Sequence, residues 1–190
     1  YRPVPARAMP HRQEICVNDI RQMAQYSPAG LEQTWYETWE QAGLFAPSTD
    51  AVGDPFVITL PPPNVTGVLH MGHCLSNSVQ DVLIRWMRMR GRPTLWIPGT
   101  DHASIATENV VSKQLREEGK KKQDLGRDGF LERAWAWKEH THGVITGQLR
   151  RLGCSLDWPR EAFTMDEARS RAVAHAFVTL KNEGLIYRDL

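Results

Sequence analysis

The sequence predicts an α/β fold in which a parallel βαβ unit is followed by mainly helical segments. Two short apolar runs, residues 56–60 and 94–97, each stop at a proline-containing turn, as buried strands do. The stretch between them has apolar residues at helical spacing and ends at Gly91. Together these segments occupy about 40 residues, the length of a unit whose two strands run parallel.

The chain of 190 residues opens with a segment that shows no periodicity. Residues 1–25 carry three prolines and are predicted to form a flexible arm, so that residues 26–190 form the domain. The first element of this domain is a helix that begins near Leu31 and stops at Gly43. A four-residue repeat predicts that it buries one stripe: Leu31, Trp35 and Trp39.

The βαβ unit follows this helix. Its first strand, 56–60, is apolar and rich in β-branched residues, which predicts a strand buried in the core. Its helix is expected to begin near Gly72 and to turn one apolar stripe inward. That stripe consists of Leu75, Val79, Val82, Leu83 and Trp86.

The sequence pattern of the rest of the chain predicts helices. One runs from Ile105 to a stop at Gly119, and a longer one, capped by Asp128, runs to Gly153. A capping box opening at Thr164 predicts a last helix, and residues 185–187 can start a further strand. The last helix is expected to bury Val173, Phe177 and Leu180.

The composition excludes several classes of protein. The 23 Lys and Arg against 22 Asp and Glu leave a net charge of +1, unlike a generic nucleic-acid coat or membrane-surface protein. No run approaches the roughly 20 apolar residues that span a bilayer. Three scattered cysteines form neither a disulfide framework nor a CxxC motif. We therefore expect a soluble protein of the cytoplasm, or of the mitochondrion if the arginines near the start belong to a transit peptide.

Chemistry is expected at the loops that follow the two strands, because ligands of open parallel sheets bind beyond the carboxyl ends of the strands. The first loop leads into a helix start that carries His70 and His73, three positions apart and thus on one side of the helix. Free helix amides and two imidazoles suit an anion, and Gly67 and Gly72 allow close approach of a large ligand. A nucleoside triphosphate is the natural candidate, although neither a Walker A motif nor GxGxxG is present.

The second loop carries Asp101 directly after a strand and a Pro-Gly turn. A carboxylate held there suits a cation such as a substrate ammonium group, at the same sheet edge as the anion site. Alternatively, Asp101 caps the helix that begins near Ile105. The residues alone leave both interpretations open.

The histidines also have two alternative interpretations. Together with Cys74, and with His102 nearby, His70 and His73 offer imidazole and thiolate ligands for zinc, but no HExxH or CxxC spacing is present. Alternatively, the two histidines are only polar groups whose hydrogen bonds are satisfied at a helix start.

The segment PPPNVTGVLHMGH, followed by GTDHA, resembles the first signature (HIGH) and the amino-acid pocket of class I aminoacyl-tRNA synthetases. Within that class it is most similar to the valine-specific family. The resemblance covers residues 26–190. It implies a Rossmann-like catalytic domain, of which this chain is expected to carry the N-terminal, HIGH-bearing half.

The resemblance implies a valine–tRNA ligase. Its substrates are ATP with Mg²⁺, L-valine and tRNA(Val); no resident metal and no membrane partner are expected. Carried over by position, His70 and His73 are the expected catalytic residues. The expected ATP-binding residues are Thr66, His70, Gly72 and His73. The expected valine-binding residues are Pro62, Asn64 and Asp101, the last through the substrate ammonium group.

This chain departs from the family pattern in three places. The family usually has glycine and glutamine where this chain has Ser104 and Glu108. The second class signature, KMSKS, is absent from the 190 residues, so we expect little or no activity from the chain alone. A non-catalytic binding module derived from a synthetase is the second hypothesis, and a zinc-binding protein is the third.

Overall fold

The computed structural model describes residue 28, residues 30–47 and residues 53–189. The predicted arm, residues 1–25, lies outside the described residues. The described part has five α-helices: α1 Leu31–Gln41, α2 Met71–Met89, α3 Ile105–Glu117, α4 Lys122–Arg151 and α5 Glu167–Asn182. Its four strands are β1 Phe56–Thr59, β2 Thr94–Ile97, β3 Gly99–Thr100 and β4 Ala162–Phe163, with one 3₁₀ turn at Trp158–Arg160.

The βαβ prediction is confirmed. Strands β1 and β2 pair in parallel, with Phe56 opposite Thr94 and Thr59 opposite Ile97. Helix α2 connects them. Proline lacks the N–H that a ladder needs, so the three prolines after Leu60 end β1 at the site where a ligand is expected.

A second parallel pair extends the fold beyond the sequence prediction. The chain resumes a strand after Pro98, and Gly99 of β3 lies opposite Ala162 of β4. A β-carbon at Gly99 would lie 3.0 Å from the carbonyl oxygen of Ala162, so the pairing depends on glycine there. We expected the second strand to end at the Pro-Gly pair, and a two-residue partner strand leaves no periodic signal in a sequence.

The main core lies where α1, α2 and α4 meet the β1–β2 sheet and the segment that follows α4. Its buried members are Tyr36, Phe45, Leu60, Ile84, Trp96, Ile145, Leu149, Cys154, Leu156 and Trp158. A smaller cluster joins α3 to the first half of α4 through Val111, Leu115 and Phe130.

Helix α1 forms where it was predicted. Of its predicted stripe, Trp39 packs partly buried against the core, but the fully buried residue is a different one. Tyr36 is buried, whereas Trp35 is 45% exposed. The Tyr36 hydroxyl donates to the carbonyl oxygen of Cys154 at 2.7 Å and accepts from Nε1 of Trp158 at 2.8 Å. These two bonds turn Tyr36, rather than the tryptophan beside it, into the core.

Helix α2 also forms as predicted, but the prediction of its buried stripe was wrong. Asn77 and Ile84 are the buried residues, and the polar face packs inward beside them. Arg88 donates to the carbonyl oxygens of Phe45 and Ser155, both at 2.9 Å. Burial lowers the pKa of Arg88 to about 10. The predicted stripe is exposed within the described residues: Leu75, Val79, Val82, Leu83 and Trp86.

Strand β1 is covered on one side only, which corrects the expectation of a fully buried strand. Val57 is 52% exposed, while Phe56 and Ile58 are half-buried. Only one face of the two-stranded sheet is covered by the described residues, so alternate positions of β1 face outward.

Helix α5 ends where predicted, two residues before Gly184, but differs from the prediction at its start and on its faces. Its N-cap is Asp166, which accepts from the N–H of Arg169 at 2.8 Å, and not Thr164. The segment 185–187 is not a strand. No residue of α5 is buried among the described residues, and its predicted core residues are more than a third exposed: Val173, Phe177 and Leu180.

Helix α3 confirms the prediction for that segment, ending two residues before Gly119. Helix α4 starts earlier than the predicted cap at Asp128. It begins at Lys122 and is interrupted at Gly126, where φ is 65° and ψ is −175°, a conformation that favours glycine.

Candidate functional site

The loops that follow β1 and β3 are joined by backbone hydrogen bonds. The N–H of Val65 donates to the carbonyl oxygen of Asp101 at 2.9 Å, and the N–H of Asp101 donates to that of Pro63 at 2.8 Å. Asn64 and Asp101 thus form a parallel bridge. The structure brings together the two loops in which we expected the anion site and the cation site.

Helix α4 anchors the first loop from the side. Nε1 of Trp137 donates to the carbonyl oxygen of Val65 at 2.8 Å, and the N–H of Leu69 donates to Oε1 of Gln148 at 2.8 Å. Sequence reasoning missed both anchors. They lie 72 and 79 residues from their partners, a separation that local patterns do not report.

The side chains of two histidines cap the N-terminus of α2. Nδ1 of His70 accepts from the N–H of Gly72 at 3.1 Å, and Nδ1 of His73 accepts from the N–H of His70 at 3.2 Å. The two rings lie 4.0 Å apart between centroids. The histidines therefore satisfy amides at a helix start, as one alternative supposed, but this uses only one nitrogen of each ring.

The capping bonds determine where the protons lie. A neutral imidazole has one N–H donor and one acceptor nitrogen, so a ring that accepts at Nδ1 carries its proton on Nε2. Both His70 and His73 thus keep an Nε2–H donor. Burial, and secondarily the charge of His70, lowers the pKa of His73 and favours its neutral form. Two N–H donors at the positive end of a 19-residue helix can bind an anion.

Gly72 has a steric role between the two histidines. A β-carbon at this position would lie 3.0 Å from Cε1 and 3.1 Å from Nδ1 of the His70 ring. Any larger residue would press on that ring and disturb its capping bond. Gly72 is also exposed, which leaves the backbone open to a ligand, as expected.

Asp101 is held by two hydrogen bonds to the same oxygen. Its Oδ1 accepts from the N–H of Ala103 at 3.1 Å and from the hydroxyl of Thr164 at 3.1 Å. Its side chain is 35% exposed. The N-cap of α3 is Ser104, so Asp101 does not cap that helix and the alternative assignment for it was wrong.

The remaining predicted residues lie along the same edge. Pro62 and Asn64 are exposed and Thr66 is half-buried, all in the turn before α2. Asn64 is adjacent to Asp101 through the parallel bridge. Their assignment to valine and to ATP stays a prediction.

The two departures from the family pattern have different local settings. Ser104 has φ 42° and ψ −113°, and Ala103 before it has φ 53°, so the chain turns through a region that side chains rarely adopt. Glu108 forms an ion pair with Lys122 at the start of α4. The charge at 108 is therefore paired, whereas Ser104 retains backbone strain that glycine would not have.

The described residues offer neither a metal site nor a membrane span. Among them, no group of three or more His, Cys, Asp or Glu side chains is arranged to hold a metal ion, so the zinc hypothesis has no ligand set there. Nor does any helix in the described ranges combine the length and hydrophobicity that crossing a membrane requires.

Comparison with known proteins decides the family. The sequence model of "tRNA synthetases class I (I, L, M and V)" matches residues 34–190. The chain belongs to this family. The class I fold is also seen in the leucyl-tRNA synthetase (LeuRS) of Agrobacterium radiobacter, solved in a ternary complex with tRNA and LeuAMS. It superposes with a TM-score of 0.71 at 24% identity, over 87% of this chain and 19% of that one. A Rossmann-like class I fold is therefore confirmed.

Curated members of the class I family show which subgroup this chain resembles. The valine–tRNA ligase of Geobacter sulfurreducens is 58% identical over 86% of this chain, and that of Gloeobacter violaceus is 59% identical over 87%. The mitochondrial valine–tRNA ligase 1 of Arabidopsis thaliana is 56% identical over 89%. The chain spans 15% to 18% of the length of these relatives.

Proposed function

We propose that this chain forms the HIGH-bearing part of a valine–tRNA ligase active site. Three observations support the proposal. Two histidine Nε2–H donors stand at the start of α2, Asp101 has a partly exposed carboxylate, and the Asn64–Asp101 bridge joins their two loops. Relatives between 56% and 59% identical are valine–tRNA ligases, which points to valine as the amino acid.

The proposed reaction joins the carboxylate of L-valine to ATP. A carboxylate oxygen attacks the α-phosphorus, the bond from that phosphorus to the bridging oxygen breaks, and pyrophosphate leaves with the electron pair. Charge accumulates on the phosphate oxygens in the transition state. The Nε2–H groups of His70 and His73 are placed to donate to those oxygens, which is electrostatic stabilisation without a covalent intermediate.

Asp101 has a complementary role at the other end of the substrate. Its carboxylate pairs with the valine ammonium, while Pro62 and Asn64 contact the rest of the amino acid. The backbone bridge holds Asn64 beside Asp101, so both groups belong to one hydrogen-bonded unit. Holding the amino acid and the phosphate chain in one orientation lowers the entropic part of the barrier.

Mg²⁺ enters this scheme as part of the MgATP substrate, where it neutralises phosphate charge. In the second step the valyl group passes to the terminal ribose of tRNA(Val). No described residue is assigned to that step.

Calorimetric titration with valyl-sulfamoyl adenosine tests the proposal. The sulfamoyl group replaces the α-phosphate ester and cannot be hydrolysed, so only binding is measured. We expect saturable binding with a stoichiometry of one and weaker binding of the leucyl counterpart. A folded chain that binds neither compound contradicts the proposal and favours the non-catalytic module. The chain should also show little or no valine-dependent ATP–pyrophosphate exchange, since KMSKS is absent from its 190 residues.

A further inference from the structure

Thr164 connects β4 to the predicted valine-binding loop. It follows β4 directly and is half-buried. Its Oγ1 lies 3.1 Å from Oδ1 of Asp101, 2.9 Å from the backbone nitrogen of His102 and 2.5 Å from Nδ1 of His102. One hydroxyl therefore contacts two consecutive residues of a loop more than 60 positions earlier in the chain.

The backbone places this hydroxyl independently of any ligand. The N–H of Thr164 donates to the carbonyl oxygen of Thr100 at 3.2 Å, which continues the parallel β3–β4 pairing by one residue. The Phe163 ring stands edge-on to the His102 ring, with 6.4 Å between centroids. Since Asp166 caps α5, the hydroxyl of Thr164 is left for the loop.

The number of protons on the Thr164 hydroxyl determines the direction of each of its three bonds. A threonine hydroxyl has one proton to donate and two lone pairs that accept. An ionised carboxylate only accepts, so the proton must point to Asp101. The two contacts with His102 must then be donated by its backbone N–H and by its Nδ1–H. This arrangement requires the His102 ring to carry a proton on Nδ1.

The same geometry leaves part of the carboxylate open. Both bonds to Asp101, from Thr164 and from the N–H of Ala103, end on Oδ1. Within the residues that the structure describes, no hydrogen bond reaches Oδ2. A carboxylate that is fixed through one oxygen and open at the other is oriented to receive a cation.

We propose that Thr164, with the Nδ1–H form of His102 behind it, is a positioning residue that aims the free oxygen of Asp101 at the substrate ammonium group. This inference rests on the proposed function, because the ammonium group is that of the valine substrate. Thr164 contacts the carboxylate and not the substrate.

Two substitutions at Thr164 distinguish the effect of the hydroxyl from the effect of side-chain shape. Thr164→Val keeps the branched shape and removes the hydroxyl, whereas Thr164→Ser keeps the hydroxyl. Each variant is titrated with valyl-sulfamoyl adenosine and with its des-amino counterpart, in which hydrogen replaces the amino group. We expect Thr164→Val to weaken binding of the valyl compound about tenfold and Thr164→Ser to stay within about threefold of wild type. Binding of the des-amino compound should be unchanged in both, because it has no ammonium group to place.

The result that would overturn the inference is an equal loss for both compounds, or no loss in Thr164→Val. Equal loss would make Thr164 a structural residue only. If the wild-type chain binds neither compound, the proposed function fails, and that outcome is distinct from a failure of the Thr164 variants alone.

A second measurement needs no ligand. The ¹⁵N chemical shifts of a histidine-labelled chain report which ring nitrogen carries the proton. We expect His102 to be protonated at Nδ1 in the wild type and in Thr164→Ser. In Thr164→Val this preference should weaken but not vanish, because Oδ1 of Asp101, 3.4 Å from Nδ1, still accepts from that nitrogen. A wild-type His102 protonated at Nε2 alone contradicts the bond directions and removes the basis of the inference.

Discussion

The backbone N–H of His70 donates to Nδ1 of His73 at 3.2 Å, so the side chain of His73 caps the helix whose N-cap residue is His70. The ring of His73 thus has two separable tasks. Its Nδ1 stabilises the start of α2, and its Nε2–H is the donor available to a phosphate.

Asparagine and glutamine at position 73 separate these tasks. The amide of asparagine reaches the position of Nδ1, and that of glutamine reaches the position of Nε2. We expect His73→Asn to keep most of the stability and to lose binding of valyl-sulfamoyl adenosine by about tenfold or more. His73→Gln should retain more binding and also keep the cap, because glutamine at the third helical position accepts from the N-cap N–H as His73 does. Urea unfolding and calorimetry measure the two quantities, and identical behaviour of both variants would contradict the division.

The pH dependence of stability should carry a contribution from His73. Burial, and then the charge of His70, lowers its pKa in the folded chain below the ordinary 6.5. Between these values the unfolded chain binds a proton that the folded chain does not, so this contribution is complete above about 6.5 and is lost as the pH falls through the folded pKa. NMR titration should place the His73 midpoint below 6.5, and His70→Asn should raise it only in part, because burial is the larger cause. A midpoint in the wild type at or above 6.5 contradicts this expectation.

Ser104→Gly should stabilise the chain. Serine at this position has φ 42° and ψ −113°, where a β-carbon is strained and glycine is not, and its side chain makes no capping bond. We expect a gain of about 1 kcal/mol in unfolding free energy, after the entropy that glycine adds to the unfolded chain is subtracted. Ser104→Ala is the matched control, since it keeps the β-carbon and should show no gain. Destabilisation by glycine would show that the serine is not strained there.

Tyr36→Phe should destabilise the core. Removal of the hydroxyl leaves Nε1 of Trp158 without its partner in a buried place, and leaves the carbonyl oxygen of Cys154 with only the N–H of Leu156. The expected cost is about 2 kcal/mol in urea unfolding. Tyr187→Phe is the control, because Tyr187 is 78% exposed and its replacement should change the unfolding free energy by less than about 0.5 kcal/mol. Equal effects of the two substitutions would contradict the assigned bonds.

Local patterns were sufficient for much of the fold. The prolines after Leu60 end the first strand, and the Pro98-Gly99 pair ends the second, both at the edge where the candidate site lies. A glycine follows the end of each helix. Both signals act within a few residues, so the sequence alone shows them. The rule that loops gather at the carboxyl ends of parallel strands then placed Asp101 beside the first loop, where the structure has it.

The buried faces of the helices could not be obtained in this way. Periodicity shows that α2 is amphipathic but not which face the described residues cover. The polar face is covered because Arg88 reaches carbonyl oxygens of Phe45 and Ser155, which are 43 and 67 positions away. The roles of Trp137 and Thr164 were missed for the same reason, since both act through long-range hydrogen bonds. The local pattern predicted only that Trp137 lies in a helix and that Thr164 caps one.

We propose that the histidines at the start of α2 and the carboxylate of Asp101 bind one ligand. ¹⁵N-histidine NMR during addition of valyl-sulfamoyl adenosine tests it most directly, with His70 and His73 reporting on one group and His102 on the other. We predict that all three resonances shift with the same midpoint at a stoichiometry of one, whereas ATP alone shifts only those of His70 and His73. Shifts confined to one group, or two different midpoints for the valyl compound, would contradict a single shared site.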